Sequence, residues 1–233
     1  STAYLTGTAV VKTCEALKEK ILHKAAKYLE TGAEELEFDG KRVYKLACEA
    51  DGTRKEITIK DLANRVQCAN EDALQVTQSH SSPISPPPFM AGAAEVEVDL
   101  ETGQVELIKF AAAVDCGTPL NENLARVQTE GGLVQGIGMA LYEDVSYSKD
   151  GKVHENSFMQ YKVPSRLDVG RVQVEFESSF EPTGPFGAKS IGEVVINTPS
   201  PAIANAVYNA VGVRIRELPI TAEKVFKGMN GLD

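Results

Sequence analysis

A single carboxylate stands where a glycine-rich loop meets an apolar run. The loop is Gly184-Pro185-Phe186-Gly187-Ala188-Lys189-Ser190-Ile191-Gly192, the carboxylate is Glu193, and Val194-Val195-Ile196 follow. Glycine and proline at this density make the backbone turn sharply or pass close to another group. A carboxylate held at such a junction is partly desolvated. Desolvation disfavours the charged form, raises the pKa and suits a general base working near neutral pH. The plainer reading is a solvated loop glutamate beside a turn. On these residues alone it is preferred, because single loop glutamates are common.

A second candidate is Glu130-Gly131-Gly132-Leu133-Val134-Gln135-Gly136-Ile137-Gly138. The surrounding stretch, Asn123 to Tyr142, has the pattern of a helix, and each interior glycine costs a helix about 1 kcal/mol relative to alanine. Such a set is tolerated where a backbone or a ligand must approach closely. Packing against a neighbouring strand explains it nearly as well as contact with a cofactor. Gln135 tips the balance slightly, since its amide both donates and accepts. Asp115-Cys116-Gly117 reads as a strand end and turn, with Cys116 a small buried hydrophobe. His80, between Ser79 and Ser81, does not read as a nucleophile's base. Neighbours in an extended chain point to opposite sides, and no acid is placed to orient the ring.

The elements that must carry these residues belong to a chain of 233 residues, enough for one large domain or two small ones. The hydrophobic fraction of 42% is ordinary for a globular protein. A formal net charge of -9 argues against a nucleic-acid or anionic-membrane surface. No apolar run approaches membrane-spanning length, and no secretory signal is visible. Cys14, Cys48, Cys68 and Cys116 are scattered. That excludes a closely spaced zinc or iron–sulfur motif, suits a reduced cytoplasm and leads us to expect no protein metal ligand. The chain starts in a Ser-Thr-Ala-Tyr run without Met, as a piece cut from a longer protein would.

The apolar positions Val10, Cys14, Leu17, Ile21, Ala25 and Tyr28 predict an amphipathic helix from about Gly7 to Thr31, ended by Gly32 in a left-handed cap. Glu37 to Tyr44 predicts a hairpin around Asp39-Gly40, Glu56 to Ile59 a strand and Asp61 to Val66 the start of a helix. Prolines 83, 86, 87 and 88 stiffen an extended link. It sets a boundary between a helix and short-strand part, 1–79, and a larger part, 80–233. Beyond it, Ala94, Val96, Val98 and Leu100 alternate with acids as in a half-buried strand. Val105 to Val114 returns as a more buried one. Asp144 to Ser148, Val172 to Glu177 and Val213 to Ile215 read as strands. The last long helix is capped by Ser200, with Pro201 in its first turn and Gly212 at its end. Thr221 caps a short terminal helix.

The loop ending in Gly192-Glu193 resembles the active-site loop of the molybdenum hydroxylases, the xanthine dehydrogenase and aldehyde oxidase family. The 130–138 segment is similar to that family's glycine-rich segment on the molybdopterin. Pro87-Pro88-Phe89 followed by Ala94-Glu95-Val96-Glu97-Val98-Asp99 is similar to a family strand signature, and the matches occur in family order. Tyr161-Lys162-Val163-Pro164 resembles a further family motif with no chemical role assigned to it. The resemblance implies an α+β fold of mixed sheets with packed helices, forming the carboxy-terminal part of the molybdopterin-binding large subunit. It implies hydroxylation of an aromatic heterocycle or aldehyde with oxygen from water.

In that chemistry a carboxylate, here Glu193, takes the proton of a molybdenum-bound hydroxyl whose oxygen attacks an electron-poor carbon. Gln135, Gly132, Gly136 and Gly192 would form the cofactor wall. Ser1 and Thr2 resemble the end of a loop that binds the pterin's polar edge, although a frayed terminus is the plainer description. The pterin dithiolene holds the metal, and electrons leave through iron–sulfur clusters and flavin on other domains or subunits. The implied partners are the amino-terminal half of the same subunit, those redox subunits and a small-molecule substrate, with no nucleic acid and no membrane. With one wall of the pocket present, the isolated piece is expected to be inactive and to hold no molybdenum. The alternative is a non-catalytic interaction module whose glycine segments merely pack tightly.

Overall fold

The computed structural model describes residues 2–232. They divide into two compact units, Leu5–Pro83 and residues 2–4 with 84–232.

In the smaller unit, helix α1 (Thr2–Leu29, whose first three residues group with the larger unit) buries Ile21, Ala25 and Leu29 at four-residue spacing. These pack on a sheet of β1 (Leu36–Phe38), β2 (Arg42–Lys45) and β3 (Glu56–Thr58), with α2 (Ile59–Cys68) adding Leu62 and Val66. The helix starts earlier than its periodicity predicts and ends differently. Glu30, not Gly32, takes the left-handed conformation, at φ 54°. Thr31 N–H then donates back to Ala26 O at 3.2 Å, while Gly32 is extended at φ -71°. This bond closes the helix before the glycine is reached. At the hairpin tip Asp39 Oδ1 accepts the N–H groups of Lys41 and Arg42, each at 2.8 Å, and Gly40 has φ 92°. Thr58 caps α2 by accepting from Asp61 N–H, so Ile59 belongs to the helix and not to the strand.

The larger unit is built on a mixed sheet. Strands β4 (Phe89–Val98) and β5 (Val105–Asp115) form an antiparallel hairpin, and β6 (Arg171–Phe176) runs parallel to β5 on its other side. Even-numbered residues of β4 turn inward and odd-numbered ones outward, as alternation predicts. Leu100 departs from it, 70% exposed in the turn between the strands. Helices α3 (Glu122–Leu141), α4 (Pro199–Val211) and α5 (Ala222–Asn230) close the core. Phe110 and Val114 of the sheet meet Leu133 and Ile137 of α3 and Ile203 and Val207 of α4 there, all fully buried. This is the α+β arrangement of mixed sheet and packed helices that the sequence implies.

Three local expectations are corrected. Asp144 to Ser148 contributes only an isolated bridge, Tyr147 to Val153. Glu155 captures both Ser146 N–H (2.6 Å) and its hydroxyl (2.8 Å), so local side-chain bonds replace a ladder. Val213 to Ile215 forms no strand: Arg214 donates to Asn205 and lies over the Tyr208 ring, and no strand pairs with the segment among the described residues. Helix α4 begins at Pro199, so Ser200 lies inside its first turn and caps nothing. Gly212 does end it, at φ 72°, and Thr221 does cap α5 by accepting from Lys224 N–H.

Candidate functional site

The site grows from the end of β5. There the chain reaches Asp115-Cys116-Gly117 and is met by residues 187–189. Gly117 and Ala188 form an antiparallel bridge. Lys189 N–H donates to Cys116 O at 2.7 Å and Thr118 N–H to Gly187 O at 2.8 Å. Gly117 must be glycine: its φ is +70°, and a Cβ there would sit 2.3 Å from Gly187 O. The loop itself bends through two left-handed residues, Phe186 at φ 53° and Gly187 at φ 84°. A non-glycine residue in that region is uncommon and carries a conformational penalty.

Asp115 is more than a strand end. Its Oδ2 accepts from Lys189 Nζ at 2.8 Å, and its Oδ1 from Ser179 Oγ at 2.6 Å and Gly117 N–H at 2.9 Å. Burial pushes the carboxyl up, but the Lys189, Ser179 and Gly117 hydrogen bonds together outweigh it and hold the group below its ordinary range. Lys189 is 8% exposed and its ammonium also lies 5.3 Å from the centre of the Phe89 ring. Burial pushes the thiol of Cys116 up, and that side chain is buried as expected.

Beside this junction lies a cavity of about 600 Å³. The loop from Ala188 to Gly192 forms one wall, the start of α3 with Ala125 and Gln128 another, and Thr2 stands at its edge. Tyr4 holds that edge by donating its hydroxyl to Thr183 Oγ1 at 2.8 Å. Asn121 fixes the start of α3, accepting from Leu124 N–H at 3.0 Å.

The structure brings together Gly192 and Thr2 of the predicted residues, with Glu193 following Gly192 directly. Ser1 lies outside the described residues. Glu193 is exposed, so this chain's described residues do not supply the desolvation that the junction predicts. Gly132 and Gly136 turn toward protein. A Cβ on Gly132 would lie 2.2 Å from Val195 Cγ2, and one on Gly136 2.7 Å from Pro199 Cγ. Close packing, not an open wall, is what these two glycines permit. Gln135 is exposed and does not line the cavity. Gln128 does, on the same helical stripe about two turns earlier. The cavity thus takes the earlier of the two amides on that stripe.

The donor set fits a pterin. The hydroxyls of Thr2 and Ser190 and the amide of Gln128 are neutral and mix donors with acceptors, as a pterin's polar edge requires. Among the described residues that line the cavity the one buried cation, Lys189, is already paired with Asp115. Among the described residues no group of three or more His, Cys, Asp or Glu could hold a metal ion. A dithiolene-held metal asks for none. No helix among the described residues is long and apolar enough to cross a membrane.

The profile of the molybdopterin cofactor-binding domain matches residues 1–170, and the chain belongs to that family. The loop ending at Glu193 lies beyond those residues but inside longer similarities. The chain is 32% identical over 225 residues to a probable hypoxanthine oxidase, XdhD, of Escherichia coli, covering 96% of this chain and 23% of that protein. It is 30% identical to the nicotine 6-hydroxylase large subunit of Paenarthrobacter nicotinovorans, covering 99% and 29%. Its fold superposes on CO dehydrogenase from Oligotropha carboxidovorans with a TM-score of 0.79 at 26% identity, over 97% of this chain and 28% of that one. The chain thus spans less than a third of these relatives.

Proposed function

We propose that this chain is the carboxy-terminal part of the large subunit of a molybdenum hydroxylase acting on an aromatic heterocycle or aldehyde. The observation that carries the reading is the cavity between the start of α3 and the loop leading into Glu193, on a chain of the molybdopterin-binding family. The bound cofactor supplies oxygen transfer and accepts the electrons. This chain's residues do the rest of the local work. Thr2, Ser190 and Gln128 offer hydrogen bonds to the pterin, the polar line that sequence reasoning placed on Gln135, Gly132 and Gly136. Gly192 brings the backbone to the cavity without a side chain, and Glu193 supplies a carboxylate oxygen that takes up a proton as general base.

The burial that Glu193 lacks here is supplied by the amino-terminal half of the subunit. Large apolar side chains left bare agree with a covering partner: Phe158, Met159 and Leu167 are at least 85% exposed. Iron–sulfur and flavin centres on other domains or subunits complete the electron path.

The test is Glu193→Gln in the complete enzyme. Glutamine keeps shape and hydrogen bonding but takes up no proton at neutral pH. Turnover should fall on the order of 100- to 10,000-fold with molybdenum and pterin content unchanged. A fully loaded variant that reduces its molybdenum within a few-fold of the parent rate removes Glu193 as the base.

A further inference from the structure

The backbone N–H groups of Ser190, Ile191, Gly192 and Glu193 make no hydrogen bond to other described residues. What fixes this stretch is therefore the packing of Ile191 on the core within it and the anchors at its two ends. Downstream, Val195 is fully buried against the notch left by Gly132 on α3. Upstream, Lys189 is the last residue held by hydrogen bonds before Glu193, through its N–H to Cys116 O and its ammonium to Asp115.

Asp115 uses both carboxylate oxygens on three donors from three places: the loop (Lys189), the segment after β6 (Ser179) and the turn after β5 (Gly117). A surface ion pair would hold little. This one has an ammonium that is only 8% exposed and a carboxylate whose accepting capacity is largely filled, so its geometry is well determined.

We infer that Asp115, acting through Lys189, is a positioning residue that sets where Gly192 and Glu193 stand at the cavity. It touches no reacting atom. The inference rests on the reading of Glu193 as the base, but its first readout does not.

The experiment uses the complete cofactor-loaded subunit. Changing one partner leaves the other charge buried alone and destabilises the fold, which would obscure position. The informative variant is therefore the double exchange Asp115→Asn with Lys189→Met, which removes both charges together. Ser179→Ala accompanies it, removing one bond to Asp115 without stranding a charge.

The double variant is expected to keep its molybdenum and melt near the parent. Amide hydrogen exchange at Lys189 and Thr118, whose N–H groups are bonded across the junction to Cys116 O and Gly187 O, should quicken about tenfold or more, since an unanchored junction opens locally. Its kcat should fall on the order of 100-fold with KM little changed, the cost of a displaced catalytic group. Ser179→Ala should shift both readouts in the same direction by less. Parent-like exchange in both variants, or faster exchange with parent kcat, overturns the inference. If the double variant does not fold, Ser179→Ala alone decides, by the same two readouts. An active Glu193→Gln enzyme would instead refute the base reading, and the exchange data would still report whether the pair holds the loop.

Discussion

Two glycine-bearing regions of this molecule look alike on paper and do opposite things. In α3, Gly132 and Gly136 remove side chains so that Val195 and Pro199 can press onto the helix. Their surroundings are filled with protein. At the β5–loop junction, Gly117 and Gly187 adopt positive φ, and the backbone crosses close to itself. That crossing leaves a cavity alongside. Glycine density alone does not separate a packing notch from a ligand wall. The sign of φ and the identity of the atom opposite do.

The largest steric effect should come from Gly117→Ala. It combines a left-handed backbone with a Cβ 2.3 Å from a carbonyl oxygen that has no flexible end to move. A loss of about 3 kcal/mol or more is expected from strain and overlap together. Chemical denaturation of the complete subunit measures it, and a loss under about 1 kcal/mol would mean the junction is looser than its geometry.

Gly132→Ala should destabilise less, by about 1–2 kcal/mol, because overlap with Val195 is partly offset by better helix propensity. Its melting temperature should drop while cofactor content per folded molecule stays at parent level. A variant that instead melts normally but loses pterin would return Gly132 to the cofactor wall.

Gly131→Ala has the opposite sign. Gly131 is exposed and a Cβ there would meet nothing within 4 Å. Stability should rise by up to about 1 kcal/mol from helix propensity. A drop would show that something outside this chain closes on that face of α3.

The smallest effect is confined to acid pH. The folded-state pKa of Asp115 lies below its ordinary 3.8, so its stabilising contribution is present above that value and is lost as pH falls from there through the folded value. The stability difference between the parent and Asp115→Asn should shrink below about pH 3.8. A gap that stays constant into acid would mean the carboxylate does not carry the pair.

The legible parts of the molecule were those written in local pattern. The alternation in β4, the later half of the α1 period and the terminal signals Gly212 and Thr221 are all decided within a few residues, whereas Val10 and Cys14, in the first half of that period, are exposed. The site was legible only as fragments. Glu193 and Gly192 stood out by type, but the partnership of Asp115 with Lys189 and Ser179 joins residues that no periodicity relates. Gln128 was overlooked because nothing beside it is unusual; its place depends on where the loop lands. Val213 to Ile215 failed for a similar reason. β-branched residues favour a strand only where a partner edge is available.

The parallel alignment of β6 with β5 also bears on the order in which the protein assembles. Strands β4 and β5 pair outward from Val98 and Val105, across a tight turn, and so can zip early. Asp115 finds Ser179 and Lys189 only 64 and 74 positions downstream. Closing such spans costs chain entropy before any contact repays it. The hairpin can therefore form while the Glu193 loop is still unattached. The end of the sheet that holds Asp115 is therefore expected to take shape after the hairpin.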